Sequence, residues 1–258
     1  MNILKFPGKL YRFIVRKYYF LASALMNNRW SKSKHVFSNI ETTNLSILKK
    51  FPHCRNLEHH ICRYHNMNLV ISEVKHLNIT GDILEFGTYK GVGLILLGNL
   101  CSKILDDRRL LIGIDCFEGL PHSARSWGKG KFSDTDLDIV YSNINKFSYS
   151  PSDFRLIKSL FSDSNLPTKV KSYSKDFSIV HFDADLGSST LEAFTVVNKF
   201  LLNLDHPVYF LFDDWGCDQD EVPEAFYSWL NSFAKPNGLK ATKLYTTKLT
   251  RYYKIERS

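Results

Sequence analysis

The segment Asp82-Ile83-Leu84-Glu85-Phe86-Gly87-Thr88-Tyr89-Lys90-Gly91 begins with a short apolar run and continues into a turn that contains two glycines. An apolar pattern with helical spacing follows, from about Gly91 to Ile104. We interpret the apolar run as a strand and the later pattern as a helix. A strand, a glycine turn and a helix in this order are the repeating unit of an α/β domain.

Strands and helices alternate along the rest of the chain as well. The further strand candidates are Leu110–Ile114, Phe154–Lys158, Ser178–Phe182 and Val208–Phe212, and the helix candidates are Thr135–Asn145, Ser188–Leu202 and Glu221–Phe233. At the C-terminal end, two more segments indicate a two-stranded hairpin, Leu239–Thr246 and Leu249–Ile255. We therefore predict an α/β, Rossmann-like fold with a mostly parallel seven-stranded sheet and an antiparallel hairpin at its end.

Acidic residues lie at the ends of four predicted strands. They are Glu85, Asp115, the pair Asp183 and Asp185, and the pair Asp213 and Asp214. The carboxyl ends of parallel strands share one edge of the sheet, and ligands bind beyond that edge. Buried carboxylates are costly unless they are paired, hydrogen-bonded or bound to a metal ion. The pattern therefore predicts a polar ligand, a metal ion or both at this edge.

The glycines after the first strand narrow the choice of cofactor. Gly87, Gly91 and Gly93 do not have the G-x-G-x-x-G spacing of a dinucleotide site, and the chain contains no G-x-x-x-x-G-K-[ST] phosphate loop. A Glu-x-Gly turn with a glycine four positions later suits a cofactor without a pyrophosphate. Asp115, at the end of the second strand, can accept hydrogen bonds from both hydroxyls of a ribose. The combination favours S-adenosylmethionine, with a bare turn and a solvent-facing aspartate as the alternative.

Five segments in the same order resemble the macrocin-type O-methyltransferase family. The most specific is Ile114-Asp115-Cys116-Phe117-Glu118-Gly119-Leu120-Pro121, which is similar to the family's D-x-F-E-G-L-P segment. The others are Glu85–Gly91, Phe161–Pro167, His181–Thr190 and Asp213–Gly216. This resemblance implies a class I methyltransferase fold that uses S-adenosylmethionine.

The resemblance also implies roles for individual residues. Asp183, Asp213 and Asp214 match the family's magnesium ligands, and Asp185 matches its general base. The residues implied to bind the cofactor are Glu85, Gly87, Thr88, Tyr89, Gly91, Asp115, Phe117, Glu118, Asp163 and Asp183. Carboxylate oxygens are the ligands that Mg²⁺ prefers, and a bound cation lowers the pKa of a hydroxyl.

The expected activity is a metal-dependent transfer of a methyl group to a hydroxyl of a sugar, a glycosylated natural product or a polysaccharide. Two alternatives stay open. One is a catechol-type O-methyltransferase that acts on a small phenolic acceptor, and the other is a glycosyltransferase that uses the D-x-D of Asp183 and Asp185. Gly187 and Ser188 replace the family's Tyr-Glu behind the metal site, which leaves the acceptor open.

The net charge of +8 comes from the first 40 residues. Eight of the 34 basic residues precede Glu41, the first acidic residue, and the other 26 equal the 26 acidic residues in number. A domain that binds nucleic acid carries a basic surface, so we expect no nucleic-acid partner. We predict a basic, partly amphipathic and helical arm over residues 1–60, and a methyltransferase domain over residues 61–258.

The arm has an apolar face, and its occupant is open between two partners. Residues 1–30 can lie on an anionic membrane surface, or the face can pack on the protein's own body or on a second copy in a homo-oligomer. No run of 18 apolar residues is present. Five widely spaced cysteines fit a reducing compartment. We therefore expect a cytoplasmic protein, with peripheral contact at the inner face of a membrane as the alternative.

One further cluster is rich in potential metal ligands. The segment His53–His65 contains four histidines and two cysteines. Its two cysteines do not have the C-x₂-C spacing of a zinc pair. We interpret the segment as helix, or helix and loop, with surface histidines.

Overall fold

The structure is a computed structural model that describes residues 57–123, 128–215, 221–246 and 250–258. The α-helices in these residues are α1 Leu57–His76, α2 Val92–Ile104, α3 Leu137–Phe147, α4 Leu166–Tyr173, α5 Gly187–Leu201 and α6 Val222–Trp229. The strands are β1 Asp82–Phe86, β2 Leu111–Asp115, β3 Phe154–Lys158, β4 Phe177–Phe182, β5 Val208–Phe212, β6 Leu239–Thr246 and β7 Arg251–Arg257.

The described strands form one seven-stranded sheet in the order β3-β2-β1-β4-β5-β7-β6. The first five strands in this order are parallel, and β7 is antiparallel to both β5 and β6. This confirms the predicted α/β fold and its C-terminal hairpin. The predicted N-terminal helical extension lies outside the described residues, apart from the first residues of α1.

The central strands end level with one another. Phe86 at the end of β1 is opposite Ile114 of β2 and Phe182 of β4, and Phe182 is opposite Phe212 of β5. Backbone hydrogen bonds continue this alignment for one residue: the amide of Asp183 donates to the carbonyl of Phe86, at 2.9 Å. The residues that follow these strands are therefore side by side at one edge.

The core beneath this edge is strongly aromatic. Phe182 of β4 stacks on Phe86 and on Phe212, with ring centroids 5.7 Å and 4.7 Å away. Phe194 of α5 stacks on Trp229 of α6. Buried residues of α4, α5 and α6 pack against one face of the sheet. Because buried aromatic side chains contribute large apolar areas, the strand ends rest on a rigid base.

The helix boundaries differ from the sequence-based predictions where side chains cap or interrupt the helix. Helix α3 begins at Leu137 instead of Thr135 because the Asp136 side chain accepts a hydrogen bond from the Ile139 amide and caps the helix. The predicted helix Glu221–Phe233 is regular only to Trp229 and continues as a π turn and a 3₁₀ turn. Helix α4 has no counterpart among the predictions.

Among the described helices, none is both long enough and apolar enough to cross a bilayer. The basic arm lies almost entirely outside the described residues. Its membrane contact, its role in a homo-oligomer and the domain boundary after residue 60 therefore stay predictions.

Candidate active site

Residues just beyond the strand ends adopt left-handed backbone conformations. Tyr89, Phe117, Asp185 and Asp214 have φ angles between +46° and +57° and follow β1, β2, β4 and β5. A non-glycine residue enters this region at a cost of about 1 kcal/mol or more, and such residues cluster at ligand-binding sites. The same edge that carries the acidic residues therefore carries the backbone strain.

The turn after β1 needs glycine at two positions. Gly87 has a φ of +86°, and a methyl group there would overlap the carbonyl oxygen of Asp183. Gly91 has a φ of +84° and caps the N-terminus of α2, while its amide donates to the carbonyl of Thr88 at 2.7 Å. The turn therefore brings the backbone of β1 close to the backbone that follows β4.

Asp115 connects two of the loops at this edge. Its Oδ2 accepts a hydrogen bond from the Tyr89 amide and its Oδ1 accepts one from the Phe117 amide, both at 2.7 Å. Burial raises the pKa of the carboxyl group, and the two amides partly offset this rise. Each carboxylate oxygen has a second lone pair, so Asp115 can still accept hydrogen bonds from a ribose.

A cavity of about 160 Å³ opens beside Asp115. Its lining combines carboxylates with apolar side chains from the loops after β2 and β3. The lining residues are Gly87, Tyr89, Asp115, Cys116, Gly119, Leu120, Pro121, Phe132, Ser159, Leu160, Phe161, Asp183, Ala184, Asp185, Ser189 and Glu192.

Four of the predicted cofactor-binding residues line this cavity, and six do not. Gly87, Tyr89, Asp115 and Asp183 are at its wall. The residues away from the wall are Glu85, Thr88, Gly91, Phe117, Glu118 and Asp163. Four of these six, Glu85, Thr88, Gly91 and Phe117, belong to or follow strands β1 and β2 and shape the turns that the wall residues occupy.

The other two acidic residues contact lysines. The Glu118 carboxylate lies 3.1 Å from Lys158 Nζ. Asp163 accepts hydrogen bonds from Lys169 and from the hydroxyl group of Ser159, at 2.8 Å and 3.1 Å. Since Ser159 lines the cavity, Asp163 is placed to orient a wall residue.

Asp134 connects a neighbouring segment to the turn after β1. It accepts a hydrogen bond from the Tyr89 phenol at 2.7 Å and contacts Lys90 Nζ at 2.6 Å. These two donors lower the pKa of the Asp134 carboxyl to about 2. The Thr135 hydroxyl donates to the carbonyl of Tyr89 at 2.9 Å. Residues 134–135 therefore support one wall of the cavity.

A buried charge cluster lies beneath the acidic end of the cavity. Arg63 of α1, whose side chain is 4% exposed, has its Nη1 3.2 Å from Asp183 Oδ2 and 2.5 Å from Asp213 Oδ2. His181 Nδ1 lies 2.9 Å from Glu85 Oε1, and its Nε2 lies 3.9 Å from Asp213 Oδ2. Four charged or ionisable residues from β1, β4 and the turns after β4 and β5 thus surround one guanidinium.

The protonation of this cluster follows from burial and pairing. Burial raises the pKa of Glu85, while His181 lowers it in part. Burial alone would lower the pKa of His181, but the carboxylates of Asp213 and Glu85 raise it to about 9. Burial also opposes the charge on Arg63, and the surrounding carboxylates outweigh it, so its pKa is raised. Both cations therefore stay charged at neutral pH.

The acidic residues fit a divalent cation. Possible ligand atoms of His181, Asp183 and Asp213 all lie within 4.8 Å of one another. Asp183 is 28% exposed and lines the cavity, whereas Asp213 is 1% exposed. Hard carboxylate oxygens are the donors that Mg²⁺ takes. Asp214, the third predicted ligand, follows Asp213 in the turn after β5.

Arg63 and the cavity's apolar wall were not identified from the sequence. Arg63 lies within the segment that we interpreted only as a helix with surface histidines. Cys116 and Phe161 belong to the quoted motifs, but the motifs do not show which of their residues line the cavity and which pack in the core. Glu192 is one turn of α5 beyond Ser189, and helical spacing from Ser189 was the one available signal.

The model of the macrocin O-methyltransferase (TylF) family matches residues 60–239. The chain belongs to the macrocin O-methyltransferase family. It is an S-adenosylmethionine-dependent O-methyltransferase, as the motifs predicted. This result favours methyl transfer over the glycosyltransferase alternative. A comparison with curated protein sequences found no match.

Solved structures share the fold of the enzyme. The O-methyltransferase NovP is similar with a TM-score of 0.61 at 18% identity, over 75% of this chain and 79% of that one. The calicheamicin methyltransferase CalS11 has a TM-score of 0.58 at 13% identity, over 88% of this chain and 92% of that one. The Podospora anserina methyltransferase PaMTH1, solved with SAH, has a TM-score of 0.52 at 12% identity, over 90% and 97%. These likenesses confirm the predicted class I methyltransferase fold.

Proposed function

We propose that the enzyme methylates a hydroxyl group of a sugar, a glycosylated natural product or a polysaccharide, in a reaction that needs Mg²⁺. One observation carries the proposal: Asp183 and Asp185 line the same cavity as Asp115 and Gly87, and Asp213 adjoins Asp183 through Arg63. A site for the cofactor and a site for acid–base chemistry are therefore continuous.

The residues at the cofactor end would bind and orient S-adenosylmethionine, which supplies the methyl group. Asp115 would accept the ribose hydroxyls, because its carboxylate is fixed by the Tyr89 and Phe117 amides. Leu160 and Phe161 add apolar wall to the cavity. Orientation of this kind supplies much of the rate enhancement when two reactants must meet in line.

Asp185 would take the proton of the acceptor hydroxyl. Asp185 lines the cavity, and its left-handed backbone, with a φ of +57°, lies in the turn between β4 and α5. A positioned general base contributes about 10²- to 10⁴-fold to a rate.

Asp183, Asp213 and Asp214 would hold the metal ion. When bound, Mg²⁺ would stabilise negative charge on the acceptor oxygen and lower the pKa of its hydroxyl. The support is that ligand atoms of Asp183 and Asp213 lie within 4.8 Å of each other and that both residues offer carboxylate oxygens.

Two comparisons support a sugar acceptor. The family is named for the O-methylation of macrocin, and the sequence resemblance to it implies a sugar hydroxyl as the acceptor. The TDP-rhamnose 3′-O-methyltransferase CalS11, a calicheamicin biosynthesis enzyme, shares the fold with a TM-score of 0.53 at 13% identity, over 88% of this chain and 94% of that one. A nucleoside diphosphate sugar is therefore the first acceptor to test.

The test measures SAH release by the purified full chain with TDP-rhamnose, with a glycosylated macrolide and with catechol, each with MgCl₂ or with EDTA. We expect turnover of a sugar acceptor that EDTA abolishes. Turnover of catechol alone would show the phenolic alternative, and turnover of a sugar in EDTA would contradict the metal requirement.

A double variant tests the metal ligands. Asp213→Asn with Asp214→Asn should abolish turnover and leave SAH binding nearly intact. The matched control replaces the exposed aspartates Asp106 and Asp205 with Asn and should behave as wild type. Near wild-type turnover of the Asp213 and Asp214 variant would contradict the proposed ligands.

A further inference from the structure

Arg63 contacts Asp183 and Asp213 from the interior of the protein. Its side chain is 4% exposed and is not part of the cavity wall, whereas Asp183 is 28% exposed and belongs to that wall. One nitrogen, Nη1, reaches Oδ2 of both Asp183 and Asp213, at 3.2 Å and 2.5 Å. The guanidinium therefore lies behind the carboxylates and fixes the separation of these two oxygens.

The structure makes room for this guanidinium at a glycine. A methyl group on Gly93 would overlap Arg63 Nη2 and Glu85 Oε1 and would lie 3.1 Å from His181 Cε1. Gly93 is the third glycine after β1. It lies on α2, outside the turn that contains Gly87 and Gly91. Its lack of a side chain lets Arg63 enter from α1 beneath α2.

The charge of Arg63 is needed because Asp213 is buried. A buried carboxylate without a compensating cation is strongly destabilising. The contact with Arg63 Nη1 therefore stabilises the buried Asp213 carboxylate in its place.

We propose that Arg63 is a positioning residue for the metal site: it holds the carboxylates of Asp183 and Asp213 at one separation before a metal ion binds. The inference rests on the proposed Mg²⁺ requirement. It assigns a function to a residue of α1, more than 100 positions away from the ligands in the sequence.

The test is direct binding of Mn²⁺, as a probe for Mg²⁺, to the full chain, measured from the EPR signal of free Mn²⁺. Replacement of residues that orient metal ligands lowers metal affinity about 10- to 100-fold. We expect this loss of affinity for Arg63→Gln and a smaller loss for Arg63→Lys, which keeps the positive charge but lacks the planar guanidinium and its fixed N–H donors. Titration with SAH should give affinities within about threefold of wild type.

Arg108→Gln is the matched control. Arg108 also pairs with an aspartate, Asp153. These two residues precede β2 and β3, at the opposite end of the strands from the acidic residues. Its Mn²⁺ affinity should equal that of wild type.

Two results would overturn the proposal while the metal requirement stands. If Arg63→Gln binds Mn²⁺ as tightly as wild type, the guanidinium is not needed for the metal site; if it binds more tightly, the guanidinium competes with the metal. If Arg63→Gln does not fold, the result for Arg63→Lys tests the proposal. A Mn²⁺ affinity of Arg63→Lys within about twofold of wild type would show that the planar guanidinium is not needed. A wild type that binds no Mn²⁺ would instead contradict the proposed function itself, and the role of Arg63 with it.

Discussion

Gly87 and Asp183 meet backbone to backbone: a methyl group on Gly87 would overlap the carbonyl oxygen of Asp183 and lie 2.7 Å from its carbonyl carbon. The turn that shapes the cofactor end of the cavity is therefore in direct contact with the turn that carries two of the acidic residues. Displacement of either turn displaces the other.

Gly87→Ala should weaken SAH binding by about tenfold or more. The alanine adds a strained left-handed backbone, at a cost of about 1–3 kcal/mol, and also pushes the Asp183 carbonyl away. Isothermal titration with SAH and thermal unfolding of the same samples measure the two effects. Gly238→Ala is the control, because Gly238 has a φ of +68° with nothing within 4 Å of the added methyl group. Equal SAH affinities in both variants would contradict the contact.

Asp134→Asn should weaken SAH binding about two- to fivefold, which is the usual range for an exposed ion pair. The change removes the charge that holds Tyr89 and Lys90 and leaves the core untouched. Asp106→Asn, which breaks an exposed pair with Lys75, should have no effect on SAH binding. A loss of the same size in Asp106→Asn would show that net charge, and not the contact with Tyr89, is responsible.

Asp185→Asn should lower kcat by about 10²- to 10⁴-fold, the contribution of a general base, without weakening SAH binding. Turnover is measured with whichever of the three proposed acceptors (TDP-rhamnose, a glycosylated macrolide or catechol) the enzyme methylates. Glu192→Gln is the matched control, because Glu192 is a second carboxylate of the cavity wall. If Glu192→Gln lost activity and Asp185→Asn did not, the two roles would have to be exchanged.

His206 should make stability depend on pH. Its Nε2 lies 2.7 Å from Asp176 Oδ2, and this carboxylate raises the pKa of the imidazole despite partial burial. A raised pKa in the folded state stabilises the protein fully below the ordinary value near 6.5, and the contribution is lost as the pH rises through the raised value.

His206→Gln should therefore cost most in acid, by about 1 kcal/mol or less, because Asp176 is half exposed. The measurement is urea unfolding of both proteins between about pH 5.5 and about pH 9. The difference in free energy of unfolding should shrink as the pH rises, and a constant difference would contradict the ion pair.

The sheet could be predicted from the sequence because each strand is a short apolar run between polar turns. The predictions for Phe154–Lys158 and Val208–Phe212 match β3 and β5 at both ends. The position of the site could also be predicted, because parallel strands that end level with one another place Gly87, Asp115 and Asp183 at one edge of the sheet.

Arg63 could not be predicted because its partners are set by tertiary packing. It lies on α1, and its contacts are with Asp183 and Asp213 in the turns after β4 and β5. Periodicity along one helix does not show which strand end that helix approaches. In the same way, matching a motif did not show that Glu118 contacts Lys158 away from the cavity wall.

The central claim is that the cavity beside Asp115 binds the methyl donor, and isothermal titration of the full chain with SAH tests it most directly. We predict saturable binding of one SAH per chain, weakened about 10- to 100-fold in Asp115→Asn, because a charged hydrogen-bond acceptor is lost. Absence of any SAH binding by the wild-type protein, or equal binding by Asp115→Asn, would contradict it.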